Sequence, residues 1–356
     1  MVNGFAYDRS GDLVISAWAA LSPFGVGADA FADGLRFGSV ALTEIEDEQV
    51  PADVRTAGVI PDFSPRTSLG RRGTRSMDRV TAIAVKTVGM VVEQCGPGLM
   101  AAPDRVGLTL GTGSGSVQSV IDFSRDSLTG DRPYDVDPAR FPNTVMNKAA
   151  AESAIWHHVR GPNTTIAGEN ATGLLSLSYA ARLFRSGRCD RVLVGSVEEY
   201  TPQRAWLSWH AGFRAPLGEG AAVFVLEHRD DAADSGRTAQ ATLVCTRFHA
   251  FHEPAGCGPA VTQCVQNALR QAEARPEDVA IVAPSGNDDE LAALQDILHD
   301  PQWLHCRPLL GDTSAASASF QLAAALVAGR TAAKGTLALI TSVDPSGTAG
   351  CALLRL

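Results

Sequence analysis

The chain has 356 residues, enough for about two domains or one large duplicated fold. Its hydrophobic fraction of 45% and charged fraction of 19% exclude a disordered polymer. With 30 Lys and Arg against 39 Asp and Glu, the net charge of -9 argues against a nucleic acid as main partner and leaves an acidic carrier protein only a local basic patch to dock on.

Apolar runs alternate with helical spacing along the chain. Residues 13–20 (LVISAWAA) read as a buried strand closed by the turn Ser22-Pro23-Phe24-Gly25, and 30–37 as a helix. Residues 43–75, with Pro51, Pro61 and Pro65, read as a long loop. Val80, Ile83, Val85, Val88 and Val91 place a helix over 76–94. A short strand at 105–110 runs into Gly111-Thr112-Gly113-Ser114-Gly115, and a helix over 171–185 precedes strands at 191–197 and 221–226. The charged, small-residue stretch 228–236 (HRDDAADSG) is the predicted junction between halves at 1–230 and 236–356. Beyond it come strands at 239–248 and 279–283, helices at 259–274, 290–298 and 314–328, and final strands at 337–341 and 352–356. Alternation on both sides of the junction argues for an α/β fold of packed layers.

The cysteines (Cys95, Cys189, Cys245, Cys257, Cys264, Cys306 and Cys351) number 7, and none is spaced as CxxC, which points away from a disulfide framework or a structural zinc. The opening residues MVNGFAYDRSGD have no basic region followed by an apolar run, and no stretch reaches about 18 apolar residues; a soluble cytoplasmic chain with no membrane span is expected. The loop 111–116 (GTGSGS) lacks the third glycine of the dinucleotide fingerprint, and neither GxxxxGK[ST] nor GxSxG occurs, so this loop reads as a tight turn. His157, His158, His249 and His252 come without further ligands at metal spacing, and no metal site is expected.

The most informative segment, 141–200, reads FPNTVMNKAAAESAIWHHVRGPNTTIAGENATGLLSLSYAARLFRSGRCDRVLVGSVEEY. FPNxVxN, RGPN, a strand, a tight turn, a helix and RSGRxDRVLVGxVEE, in that order, resemble the β-ketoacyl synthases. VISAWAALSPFG at 14–25, SMDR at 76–79 and GTGSG at 111–115 resemble them too. Before the junction the resemblance covers nearly all of the chain; after it, the element order persists while the motifs decay. It implies an α/β, thiolase-like fold, with two similar halves in a layered α-β-α-β-α arrangement.

That family needs a nucleophilic Cys at the N-terminus of a buried helix, where the helix dipole lowers the thiol pKa. Here the turn reads Ile166-Ala167-Gly168-Glu169-Asn170-Ala171-Thr172-Gly173, and the nucleophile position falls on Asn170, whose amide forms no thioester. The family's two histidines fall on Pro284, in Pro284-Ser285-Gly286-Asn287-Asp288, and on Asp312, in Leu310-Gly311-Asp312-Thr313; Arg307 stands for the lysine five residues earlier. The closing Gly-rich turn becomes TSVDPSGTA at 341–349.

Nucleophile and both imidazoles are absent together, while the scaffold residues remain. That combination resembles the chain-length factor, or ketosynthase β-subunit, of type II polyketide synthases, which carries Glu-Gln where this chain has Glu169-Asn170. The resemblance implies no catalytic residue, no cofactor, an obligate heterodimer with a ketosynthase α-subunit, transient contact with an acyl carrier protein, and a role in bounding the growing chain. The short length leans toward a factor for reduced or polyene chains.

On the same resemblance, tunnel residues fall on the helix after the Gly-rich turn, where Val117, Val120, Ile121 and Ser124 share one face; ordinary core is the competing reading of this stripe. The partner interface is expected at Phe141, Val145 and Met146 and, on a strand at 164–168, at Thr164 and Ile166. Glu169 and Asn170 read either as helix caps or as a remnant that holds or decarboxylates a malonyl group. The alternative function is a thiolase-fold acyltransferase or malonyl decarboxylase with a displaced nucleophile. Cys257 (PAGCGPA) and Cys351 (GTAGCALL) sit in Gly-rich settings, and each also reads as a small buried hydrophobe.

Overall fold

The computed structural model describes residues 12–47, 50–51 and 54–356. Residues 1–11, on which the leader reading and the start of the first predicted half fall, lie outside the described residues, as do four positions of the predicted loop 43–75. No helix among the described residues is long and apolar enough to cross a membrane.

One mixed sheet organises the chain. Its path runs Gln302–Trp303, Val279–Ala283, Leu337–Asp344, Thr348–Arg355, Ala241–Ala250, Leu13–Ser22, Gly220–His228, Arg191–Glu198, Val106–Gly111, Asn163–Ile166. Five of these strands precede residue 230 in sequence and five follow it. Taken in chain order within each half, both sets lie third, second, fourth, fifth, first. In both, the second strand is parallel to the third and fourth, and the fifth is antiparallel to the fourth and first. The two first strands meet antiparallel at Val14↔Thr242 and Ile15↔Ala241, so the sheet is continuous across the halves.

Strand side chains alternate between faces, and here helices cover both faces, which is why most strands read as unbroken apolar runs. The helices Thr172–Arg185 and Ser317–Gly329 contact each other and share one core with Trp18, Phe224, Ile340 and Leu354 from both halves of the sheet. The Ser317–Gly329 helix is buried at every position from Ala318 to Leu326, as a helix apolar nearly all round must be, and its buried Gln321 donates to Ala283 O and Thr341 O. Gly173 permits its close approach: a Cβ there would stand 2.9 Å from Ser319 N. On the outer face of the first half, Arg79–Cys95 sets Val80, Ile83 and Val88 against Leu108 and Val223. On the second, Cys257–Ala272 and Asp288–Ile297 set Val261 and Leu294 against Leu339 and Leu353.

One sequence expectation changes. The loop 43–75 contains the short strands Thr43–Glu44 and Thr56–Gly58, which join Leu217–Gly218 in a small sheet, and the helix Pro65–Leu69 capped by Ser64. These pieces are too short to show a period. At the predicted junction 228–236, the helix Arg229–Asp234 folds against the strands Leu13–Ser22 and Gly220–His228, burying Ala232.

Candidate functional site

The turn after the edge strand Asn163–Ile166 begins the site. Gly168 N donates to Thr172 Oγ1 at 3.0 Å and Ala171 N to Gly168 O at 2.9 Å, closing a single 3-10 turn over Glu169–Ala171. Glu169 adopts φ 42, a left-handed conformation that few side chains favour. Asn170 follows, half-buried. The capping expectation for it is corrected: the helix cap is Ala171, with no side-chain bond. Asn170 instead donates its Nδ2 to Val343 O at 3.3 Å, and its own carbonyl accepts from Ser342 Oγ at 2.7 Å. The amide therefore braces the turn against the strand Leu337–Asp344.

Pro284 and Asp312 arrive at the same place through their neighbours. Val343 N donates to Ser285 Oγ at 3.2 Å, which sets the 284–288 loop beside the partner of Asn170. Asp312 accepts from Arg307 Nη2 at 2.8 Å and from Ser314 N at 2.9 Å. The Ser314 hydroxyl reaches back toward Glu169. Glu169, Asn170, Pro284 and Asp312 thus belong to one cluster of turns at the starts of the two central helices.

That cluster offers little room. The cavity between Pro284, Ser285, Arg307, Thr313 and Gln321 measures about 10 Å³, and none of its lining residues carries an imidazole. Holding a single water takes roughly 10–15 Å³. Glu290 fills the adjoining loop: its Oε2 accepts from Ser285 Oγ at 2.6 Å and from the Gly286 and Asn287 amides, and its Oε1 from Thr341 Oγ1 at 2.5 Å. On the other side, Gly113 N donates at 3.3 Å to the fully buried Glu198, whose carboxyl burial pushes up.

No activated thiol stands nearby. Burial, then Asp289 and Glu290, push Cys257 up to about 11. Burial pushes Cys306 up to about 12 and Cys351 well above the ordinary thiol range. Thiols held protonated in this way supply no nucleophile at neutral pH.

Sequence reading missed Ser285, Glu290, Ser314 and Ser342. The Asn287-x-x-Glu290 capping box was legible as a spacing. The others act through partners far away in the chain, which no local pattern reveals.

Of the expected tunnel residues, only Val117 belongs to the core. Only Val117 is buried in the helix Val117–Thr129, while Val120 is 39% exposed and Ser124 is exposed. Ile121 lines a hollow of about 290 Å³ with Arg125, Gln203 and Trp206. Of the expected interface residues, Phe141 is 57% exposed, Val145 and Met146 are exposed, and Thr164 and Ile166 are half-buried. The strand Asn163–Ile166 ends the sheet and pairs with no second strand among the described residues.

Residues 11–216 match the family described as β-ketoacyl synthase, N-terminal domain. Among solved structures, the chain is similar to the ishigamide ketosynthase/chain length factor, at 35% identity over 97% of this chain and 99% of that one, with a TM-score of 0.89. A type II polyketide synthase ketosynthase, solved with its acyl-carrier protein and bound to the hexaketide, shares the fold at 17% identity, 97% and 99% coverage and a TM-score of 0.82. Among curated proteins, 3-oxoacyl-[acyl-carrier-protein] synthase 2 of Vibrio harveyi is 25% identical over 301 residues, 77% of this chain and 72% of that protein.

Proposed function

The chain belongs to the β-ketoacyl synthase family, and on that premise we propose that it is a non-condensing chain-length factor, the subunit that pairs with a ketosynthase and bounds its growing polyketide. The observation that carries this reading is Asn170. It occupies the turn where the family's chemistry asks for a thiolate, and its amide is tied to Val343. An amide nitrogen delocalised into its carbonyl accepts no acyl group as a thioester. The crowded 10 Å³ space beside Pro284 supports the same reading.

In this function the partner's thiolate carries the chain and performs condensation. The present chain contributes walls. Val120, Ile121 and Ser124, on a helix exposed to the partner side, set how far the acyl chain extends, and their small to medium size suits a long or roomy tunnel. The Asn163–Ile166 edge and the exposed Phe141, Val145 and Met146 form the surface that pairs with the ketosynthase α-subunit. An acyl carrier protein docks transiently to deliver extender units. Residues 1–230 and 236–356 act as the two halves of one thiolase-like, layered unit rather than as separable domains.

Co-expression with a ketosynthase α-subunit of a type II polyketide synthase tests the proposal. A one-to-one complex that condenses malonyl units, together with an isolated chain that does not, is expected. A chain that stays monomeric in the presence of that ketosynthase, or that self-acylates at Cys257 or Cys351 in a substrate-protected manner, would overturn it in favour of the displaced-nucleophile enzyme.

A further inference from the structure

A cavity of about 760 Å³ opens between the starts of the Arg79–Cys95 and Val117–Thr129 helices and the turn Pro138–Thr144, and Asp78 and Glu199 line it. Glu199 is 0% exposed, and among the described residues neither its Oε1 nor Asp78 Oδ2 has a hydrogen-bond partner. The other oxygens are in use: Val80 N donates to Glu199 Oε2 at 3.0 Å and Thr81 N to Asp78 Oδ1 at 2.8 Å. Buried carboxylate oxygens without donors are costly unless a cation or donor arrives.

The basic groups around them are committed elsewhere. Arg79 holds Glu219, Lys148 holds Glu152 at 2.6 Å, and Arg140 holds Asp126 at 3.2 Å. Arg204 donates to the carbonyls of Glu199 and Gly218. Arg75 lines the cavity from an exposed position.

We propose that this cavity is a socket for a basic side chain, a guanidinium or an ammonium, that the partner subunit inserts between Asp78 and Glu199. The proposal rests on the pairing reading above. Two carboxylates suit forked or clustered N–H donors. A metal ion fits less well, because no group of three or more His, Cys, Asp or Glu among the described residues is arranged to hold one. The rim also continues into the pairing face. Asn143 Nδ2 donates to Ser76 O at 2.6 Å, drawing the turn Pro138–Thr144 over the cavity, and the exposed Phe141 lies on that same turn. A charge set deep in an apolar face fixes the register and the choice of partner.

The test uses the complex co-purified with a ketosynthase α-subunit. Glu199→Gln keeps the acceptor for Val80 N and removes the charge. It is expected to weaken the complex at least tenfold, and Asp78→Asn similarly, with both chains still folded by circular dichroism. Agmatine, a stand-in for an arginine side chain, is expected to compete with wild-type assembly and not with Glu199→Gln assembly. A wild-type complex as tight as the Glu199→Gln complex overturns the socket and leaves the pairing reading intact. A wild-type chain that forms no complex defeats the pairing reading, and the partner-filled socket with it. Agmatine uptake by the isolated chain that appears only in Arg75→Ala would make Arg75 the occupant and overturn the proposal.

Discussion

Ser314 Oγ donates to Glu169 Oε2 across 3.4 Å, joining the two left-handed turns from which the central helices start. Glu169 has φ 42 and Ser314 φ 43, and each opens a 3-10 turn that runs directly into a buried helix. Such conformations cost about 1–3 kcal/mol each and persist where the surroundings over-determine them. Here the surroundings are the two packed helices, with Gly173 against Ser319. On the proposed reading, this is the corner where the family's chemistry would place a nucleophile, and here it carries Asn170. Packing of the duplicated halves, rather than chemistry, holds it.

Asn170→Cys is therefore expected not to restore condensation. The new thiol would stand at a helix start, but Pro284 and Asp312 provide no imidazole, and general acid–base assistance and oxyanion stabilisation are each worth at least about 100-fold. Loss of the bond to Val343 should also lower stability by about 0.5–1.5 kcal/mol. Mass spectrometry after incubation with malonyl and acyl carrier protein, beside a denaturant melt, checks both. Sustained turnover by this single variant would refute the assignment of a lost active site.

Stability should carry the mark of Glu199. Burial pushes its carboxyl up to about 8 from 4.5, helped by Asp78 before the Arg79–Cys95 helix and by Glu198 at the end of the preceding strand, and opposed by the Val80 amide and the Ser116 hydroxyl. The folded chain therefore binds a proton that the unfolded chain has released between these two values. The contribution of Glu199 is unpenalised below pH 4.5, is lost progressively as pH rises to about 8, and stays low above it. Relative to wild type, Glu199→Gln should gain stability from pH 5 to pH 9, at about 1.4 kcal/mol per unit of displacement. Parallel urea melts at the two pH values read this, and identical wild-type and variant profiles would place a solvated, ordinarily charged Glu199 in the site.

Val120→Phe and Ser124→Phe test the tunnel. Both positions are exposed, so a larger ring there overpacks nothing in the isolated chain and should leave its melting point unchanged. In the reconstituted pair the released acyl chains should shorten. If both soluble variants give the wild-type length distribution by mass spectrometry, this helix does not bound the product.

Thr165→Pro probes the open sheet edge. Pro162 O and Ile166 O accept from Leu108 N and Thr112 N at 2.8 and 3.0 Å, so alternation turns the Thr165 amide toward the unpaired side. Proline there removes a donor the isolated chain does not use and that a paired strand from the partner would need. Weakened assembly with little change in the stability of the free chain is expected on analytical sizing and thermal melts. Unchanged assembly would move the interface away from this strand.

Residue identity and periodicity determined a good deal on their own. The run 191–197 is interrupted only by Arg191 at its start and Ser196 and was readable as a buried strand, which the fold extends only to Glu198. The absence of a thiol at 170 and of imidazoles at 284 and 312 needs no coordinates, because a side chain's functional group fixes what it can attack or protonate. Tertiary structure decided the rest. A local pattern reports which face of an element is apolar, but not what covers that face. The stripe Val117, Val120, Ile121, Ser124 has the spacing of a core helix, yet only Val117 is buried, while Val120 and Ser124 are exposed. Asn170 has the chemistry of a helix cap, yet it bonds a carbonyl 173 positions away. Glu199 lies just past the strand that ends at Glu198, but only the approach of the Arg79–Cys95 helix, 119 positions earlier at Val80, buries it beside Asp78. Contacts over such separations are set by how the duplicated sheet and its helices pack, and that packing is a property of the whole chain.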